Sequence, residues 1–280
     1  MRVATSLAEY AELAAGQRVG PPVGLVPTMG ALHEGHRSLI QLALARTERV
    51  VVSIFVNPLQ FGPNEDYGRY PRALADDLST CEAEGVDVVL APAASDVYRD
   101  DRQVSVSAGE LGRVLEGASR PGHFDGVLTV VLKLFHLVNP QLAVFGQKDA
   151  QQLACIERMV LDLNLDIEVV GAPIIRDPDG LAVSSRNVFL SAEQRILARS
   201  LSAALEKAAS EPSVPTARSA AYEVLDRAAD NPVFELDYAT LVDPATFAEV
   251  PDDHTGRAIF VVAARVGGTR LIDNATVTLG

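Results

Sequence analysis

The sequence predicts an α/β fold: a doubly wound parallel sheet followed by a smaller α+β domain. Three observations predict it. Short runs of Val, Leu and Ile recur through the first two-thirds of the chain, with helical patterns between them. Polar, glycine-bearing segments follow the runs where the carboxyl ends of parallel strands would lie. After about residue 175 the alternation gives way to two Ala-rich helical patterns and then three β-rich stretches.

The strand candidates are Val23–Val26, Val50–Val56, Val86–Leu90, Leu142–Phe145 and Ile167–Val170. Each is short and mostly Val, Leu or Ile, as expected of strands covered on both faces. The helices between them are expected at Gly35–Arg46, Ala73–Glu84, Asp125–Leu137 and Asp149–Leu161. This is βαβα alternation, the pattern of a Rossmann-like sheet. In the C-terminal part, Ser191-Ala-Glu-Gln is a capping motif that opens a helix running to about Ser210. Glu211-Pro-Ser-Val-Pro reads as a breaker, and a second helix follows at Ala217–Ala229. Strands are expected at Glu235–Val242, Ala258–Val266 and Thr269–Asp273, the last two joined by a Gly267-Gly268 hairpin turn. The expected domains are 1–175 and 176–280.

The chain has 280 residues, 48% of them hydrophobic, which is ample for a core of this design. Its formal net charge of -13 disfavours nonspecific binding to nucleic acid or an anionic membrane. No apolar run approaches membrane-spanning length, no signal-peptide core is visible, and the two cysteines form no framework. A cytoplasmic location without nucleic-acid or membrane partners is therefore expected.

Chemistry concentrates in four segments. The first is Met29-Gly-Ala-Leu-His-Glu-Gly-His36, between a strand and a helix. Backbone N–H groups and the helix dipole attract phosphate there, and two imidazoles can add donors. The spacing is not that of a His-Glu-x-x-His zinc motif, since Arg37 stands at the fifth position. Gly35 could let a flat base or ribose approach closely. The second is Gly146-Gln-Lys-Asp149 at another strand end. The chain has only three lysines, and Lys148 is well placed to meet phosphate as a point charge. The third is Val183-Ser-Ser-Arg-Asn187, whose hydroxyls and guanidinium suit phosphate oxygens. Taken alone it is an ordinary turn. The fourth is Asn57-Pro-Leu-Gln-Phe-Gly62. Gln60 there, with Gln152 further on, could recognise hydroxyls and a carboxyl of a small substrate, or could simply face solvent. The Gly- and Pro-rich stretch 62–71 reads as a lid. No P-loop, Gly-x-Ser-x-Gly elbow or Gly-x-Gly-x-x-Gly fingerprint is present.

Five ordered blocks, VPTMGALHEGH (26–36), SIFVNPLQFGPNEDYGRYPR (53–72), RPGHFDGVLTVVLKLF (120–135), FGQKDAQQL (145–153) and VSSRN (183–187), resemble the pantothenate synthetase (pantoate–β-alanine ligase) family. That family belongs to the His-x-Gly-His nucleotidyltransferase superfamily. One departure is Ala150, where the family usually has an aromatic residue. The resemblance implies that ATP and pantoate give pantoyl adenylate and pyrophosphate, and that β-alanine then displaces AMP. It implies a magnesium requirement, with no residue of this sequence named as a metal ligand, and a homodimer. It carries ATP contacts onto Met29, Gly30, Ala31, Leu32, His33, Glu34, Gly35, His36, Gly146, Gln147, Lys148, Asp149, Ile175, Val183, Ser184, Ser185 and Arg186. Catalytic roles fall to His33, His36, Lys148 and Arg186, and substrate contacts to Asn57, Gln60 and Gln152. The alternative at this stage is another His-x-Gly-His nucleotidyltransferase acting on a phosphorylated acceptor. A noncatalytic descendant of a synthetase fits less well, because His36, Lys148 and Arg186 are all retained.

Overall fold

The computed structural model describes every residue except 16–21, 64 and 66. The chain divides into two compact units. The first comprises Met1–Gln147 and Gln151–Pro173, the second Lys148–Ala150 and Ile174–Gly280.

In the first unit six strands form one sheet: β1 (Arg2–Ala4), β2 (Val23–Thr28), β3 (Arg49–Ile54), β4 (Val88–Leu90), β5 (Leu142–Gly146) and β6 (Glu168–Ala172). Their order is β1-β4-β3-β2-β5-β6, and every pairing is parallel. The helices are α1 (Leu7–Ala15), α2 (Glu34–Arg46), α3 (Leu74–Glu84), the short α4 (Ala94–Val97) and α5 (Glu116–Ser119), α6 (His123–Val138) and α7 (Ala150–Asp162).

Both faces of the sheet are covered, and this explains the mostly apolar runs. Leu25, Val51, Val88, Leu90 and Ala143 join a core with Tyr10 of α1, α6, and Cys155, Ile156 and Met159 of α7. Their strand neighbours Val26, Val50, Val52, Val89, Leu142 and Val144 join a second core with Leu39, Ile40 and Ala43 of α2 and Cys81 of α3. Successive side chains point to opposite faces, so a strand buried on both sides is mostly apolar on both. Burial pushes the Cys81 and Cys155 thiols up to about 12, which keeps both protonated as small packing groups.

The chain order reverses between β2 and β5, which are hydrogen-bonded neighbours. From β2 the chain winds one way to β3 and β4; β5 and β6 lie on the other side. The carboxyl ends of two strands that diverge like this open the crevice where such sheets bind ligands.

The second unit has the antiparallel order β7-β8-β9, from β7 (Phe234–Val242), β8 (Gly256–Val266) and β9 (Thr269–Leu279). One sheet face packs on α8 (Ala192–Ala209) and α9 (Val214–Ala229), around Leu201, Leu205, Leu225, Phe260 and Val262. The Ser191/Gln194 capping box opens α8 as expected. Gly267-Gly268 turns β8 into β9, with Gly267 at φ +60°.

Several boundaries differ from expectation. β1 and α1 were not expected, because a three-residue strand carries no periodicity of its own. The segment 211–215 is only partly a breaker. Ser213 caps α9, and Pro215 sits in its first turn, where a missing N–H costs nothing. β9 continues past Asp273 to Leu279, since full pairing with β8 overrides the low strand preference of Asp273 and Asn274. The division also assigns Lys148–Ala150, just after β5, to the second unit.

Candidate active site

In the first unit, β2 ends at Thr28 and α2 begins at Glu34. The connecting loop turns sharply, with Gly30 at φ +83° and Ala31 at φ +50°. A non-glycine residue in the left-handed region is held there by its surroundings. Here the holder is Asp77 of α3, 2% exposed, which accepts from Ala31 N–H at 3.0 Å and Leu32 N–H at 2.7 Å. Thr28 Oγ1 accepts from Gly30 N–H at 3.2 Å and donates to Ser53 O at 2.7 Å.

This loop delivers the two histidines. Their rings are tilted against each other with centroids 4.1 Å apart. His36 Nδ1 accepts from the His33 backbone N–H at 3.3 Å, which leaves Nε2 as the protonated nitrogen of a neutral His36 ring. A Cβ on Gly35 would come within 2.9 Å of His33 Cε1. Gly35 therefore admits the His33 imidazole beside its backbone.

Asn57 and Gln60 belong to a one-turn 3-10 segment after β3. Asn57 is 1% exposed, and its amide is fully engaged. Nδ2 donates to Gln60 Oε1 and Gly126 O, each at 3.0 Å, while Oδ1 accepts from Leu59 N–H at 3.2 Å and Tyr98 Oη at 2.8 Å. Two donors and two acceptors exhaust an amide. These bonds hold Asn57, the substrate contact expected from the sequence, in place. Gln60 is also buried rather than facing solvent, and its Nε2 donates to Met29 Sδ at 2.9 Å. Met29 and Gln60, from adjacent strand ends, are thereby brought together.

The Gln60 carbonyl is held by the first residue of α6 and by Arg120 just before it. His123 Nδ1 donates to it at 2.8 Å, and Arg120 Nη2 does so at 3.2 Å. Arg120 also pairs with Glu65, at 2.9 and 2.5 Å. Burial alone would raise the Glu65 carboxyl, but hydrogen bonds and charge from Arg120 outweigh it and hold Glu65 below the usual range. Phe61 packs edge-on against Tyr67 and Tyr70, and Arg72 donates to the carbonyls of both tyrosines. Within the expected lid, Glu65, Tyr67 and Tyr70 are thus anchored. On α7 the two glutamines diverge: Gln151 is buried against Leu111, Val114 and Glu116, and Gln152 is half-buried.

In the second unit, Ile175 and Val183 are brought together. Val183 N–H donates to Ile175 O at 2.9 Å across a small hairpin whose turn has Gly180 at φ +89°. Ser184 caps the next turn, Ser185–Phe189, its Oγ accepting from Arg186 N–H at 3.3 Å. Arg186 is half-buried there. Lys148 lies in the Gln147–Asp149 turn, and its carbonyl accepts from Asn274 Nδ2 at 3.0 Å.

The family model for pantoate-beta-alanine ligase matches residues 2–276. The chain belongs to that family. It is 57% identical to the pantothenate synthetase of Thermobifida fusca strain YX, over 94% of this chain and 93% of that protein. Against the enzyme of Mycolicibacterium smegmatis the identity is 53%, over 93% and 82%. The fold is similar to the crystal structure of pantothenate synthetase from Thermus thermophilus, with TM-score 0.91, 45% identity and 98% and 99% of the two chains covered. A ligase structure from Francisella tularensis, complexed with beta-gamma ATP and β-alanine, gives TM-score 0.82 at 33% identity over 98% and 97%.

Within this family member, sequence reasoning missed the residues that hold the candidates: Asp77, Tyr98, Arg120, His123, Gly126 and Asn274. Asp76-Asp77 reads as ordinary acidic residues in a helix's first turn. Only the fold turns Asp77 toward the His-bearing loop. Asp77→Ala is expected to lower stability, since each buried donor left without a partner costs roughly 1–3 kcal/mol. Urea unfolding checks this. An unchanged midpoint would show that Asp77 does not hold the loop.

Proposed function

We propose that the chain condenses pantoate with β-alanine to pantothenate, using ATP through a pantoyl adenylate and releasing AMP and pyrophosphate. The observation that carries this reading is the family match across residues 2–276, with both histidines, Lys148 and Arg186 in place. The Francisella relative, complexed with an ATP species and β-alanine, supports it. The neutral amides of Gln60 and Gln152 suit a hydroxy acid better than a second phosphate, which favours pantoate over a phosphorylated acceptor.

The pantoate carboxylate, with a pKa of about 4, is ionised at neutral pH and needs no general base. The barrier is anionic: a carboxylate must approach the α-phosphate as pyrophosphate leaves. His36 Nε2–H, His33, Lys148 and Arg186 donate to phosphate oxygens as charge builds, and the Met29–Leu32 loop and the Ser184–Ser185 turn receive the nucleotide. Gln60 retains hydrogen-bonding capacity beyond Asn57 and Met29 for the pantoate hydroxyl, with Gln152 as its second contact. The β-alanine amine, with a pKa of about 10, is neutral in only about one part in 10³ at pH 7, so adenylate reactivity and proximity carry the second step.

Magnesium fits as a companion of the nucleotide. Among the described residues no three His, Cys, Asp or Glu side chains form a metal cluster. Mg²⁺ bound with the triphosphate would be held largely by phosphate oxygens and water and would neutralise charge there. The resemblance also supports a homodimer and a cytoplasmic location. No helix among the described residues is long and apolar enough to cross a membrane.

The deciding assay is AMP release. It should require pantoate and β-alanine together with ATP. Release driven instead by a phosphorylated acceptor would overturn the reading.

A further inference from the structure

β9 carries two adjacent buried polar residues, Asp273 and Asn274. Alternation along a strand sends them to opposite faces. Leu271, Val277 and Leu279, in step with Asp273, belong to the core under α8 and α9. Asn274 is out of step with them, on the face those helices leave uncovered, yet it is only 8% exposed. Its cross-strand partner Val261 is buried at 6%, outside the helix-facing core.

A buried amide is costly unless its hydrogen bonds are made. Asn274 Nδ2 makes one to the backbone carbonyl of Lys148, 126 positions away in sequence, at 3.0 Å. Its own N–H donates to Asp273 Oδ1 at 2.8 Å. Asp273 in turn takes a bidentate pair from Arg176, at 2.6 and 3.0 Å, and Arg176 Nη1 also donates to Gly180 O at 3.2 Å. Arg176 pairs across the hairpin with Ala182, next to Ile175 and Val183. Two neighbouring residues of one strand thus hold the Lys148 turn and the hairpin leading into Ser184–Arg186.

We propose that Asn274 is a positioning residue for adenylate formation: its hydrogen bond to the Lys148 carbonyl fixes the base from which the lysine ammonium reaches the ATP phosphates. This rests on the assignment of Lys148 to that step. Lysine has a long, flexible stem, so its aim depends on where the backbone is held. A displacement of about 1 Å in such a group can cost about 10²-fold in rate.

The test uses the full chain in rapid-quench experiments. Pyrophosphate release with ATP and pantoate reports the first step, and a β-alanine chase reports AMP release from the preformed adenylate. Asn274→Asp, isosteric but without the donor, and Asn274→Ala are each expected to slow the first step about 10-fold and leave the second within about twofold. In a Lys148→Ala background, Asn274→Ala should add less than twofold. Native pyrophosphate release in Asn274→Asp, equal slowing of both steps, or a full additional loss in the Lys148→Ala background would each overturn the proposal. If Lys148→Ala itself released pyrophosphate at the native rate, the functional assignment of Lys148 would fall, a separate outcome. Thermal unfolding of each variant establishes that rates are compared among folded proteins.

Discussion

Lys148→Ala is expected to slow pantoate-dependent pyrophosphate release by about 10²-fold, equivalent to about 3 kcal/mol of lost transition-state stabilisation. Two anions must meet in the first step, and negative charge grows on the departing pyrophosphate. A preorganised cation is worth most at that moment. The substitution should leave the fold intact. The hydrogen bond to Asn274 uses the Lys148 backbone carbonyl, which alanine retains. Lys148→Arg is not expected to restore the rate, because a planar fork cannot reproduce the reach of a compact ammonium. His36→Ala should lose a similar factor, and His36→Gln should lose less by keeping a donor near the position of Nε2. Rapid-quench measurement of pyrophosphate, alongside unfolding midpoints, checks all four variants. Near-native release in Lys148→Ala would remove it from the proposed machinery.

The sheet was legible because its signal is local. Val50, Val51 and Val52 alternate between two cores, and their sequence records that both faces are covered. The candidates with a charge or ring at a strand end were legible for a related reason. A phosphate-binding loop needs glycines and donors at a strand–helix junction, and those residue types are visible directly. What supports them was not. Asp77 is 45 positions from Leu32, and Asn274 is 126 from Lys148. Nothing in an acidic helix start or an Asp-Asn pair announces a distant backbone group. Asn57 shows the converse. Its neighbourhood in the sequence marks it as a polar strand-end residue, and the partners of its four internal hydrogen bonds include residues as remote as Tyr98 and Gly126. Loop boundaries were harder for the same reason: α9 begins through a proline, and β9 continues through an Asp-Asn pair, because capping and strand pairing decide those positions.

Gly126→Ala is expected to raise the KM for pantoate by about 10²-fold, by moving Gln60 about 1 Å from its productive place. The sequence presents Gly126 as a helix-weakening residue near the start of α6. The structure gives it a purpose. A Cβ there would collide with the Leu59 carbonyl oxygen, and would lie 2.5 Å from the Leu59 carbonyl carbon and 2.8 Å from Gln60 N. All three are backbone atoms, so no flexible side chain can yield. The Pro58–Gln60 turn must move away from α6, and with it the hydrogen bond from Asn57 Nδ2 to Gly126 O. Better helix propensity offsets about 1 kcal/mol of the strain. Overpacking still costs roughly 1–3 kcal/mol, so the unfolding midpoint should fall modestly. The nucleotide loop keeps its own anchors on Asp77 and Thr28, so binding of a non-hydrolysable ATP analogue, read by calorimetry, should change little. That combination separates a displaced pantoate contact from general loss of structure. A folded Gly126→Ala variant with native pantoate KM would show that Gln60 does not contact pantoate; equal loss of ATP-analogue binding would show that the turn supports the nucleotide instead.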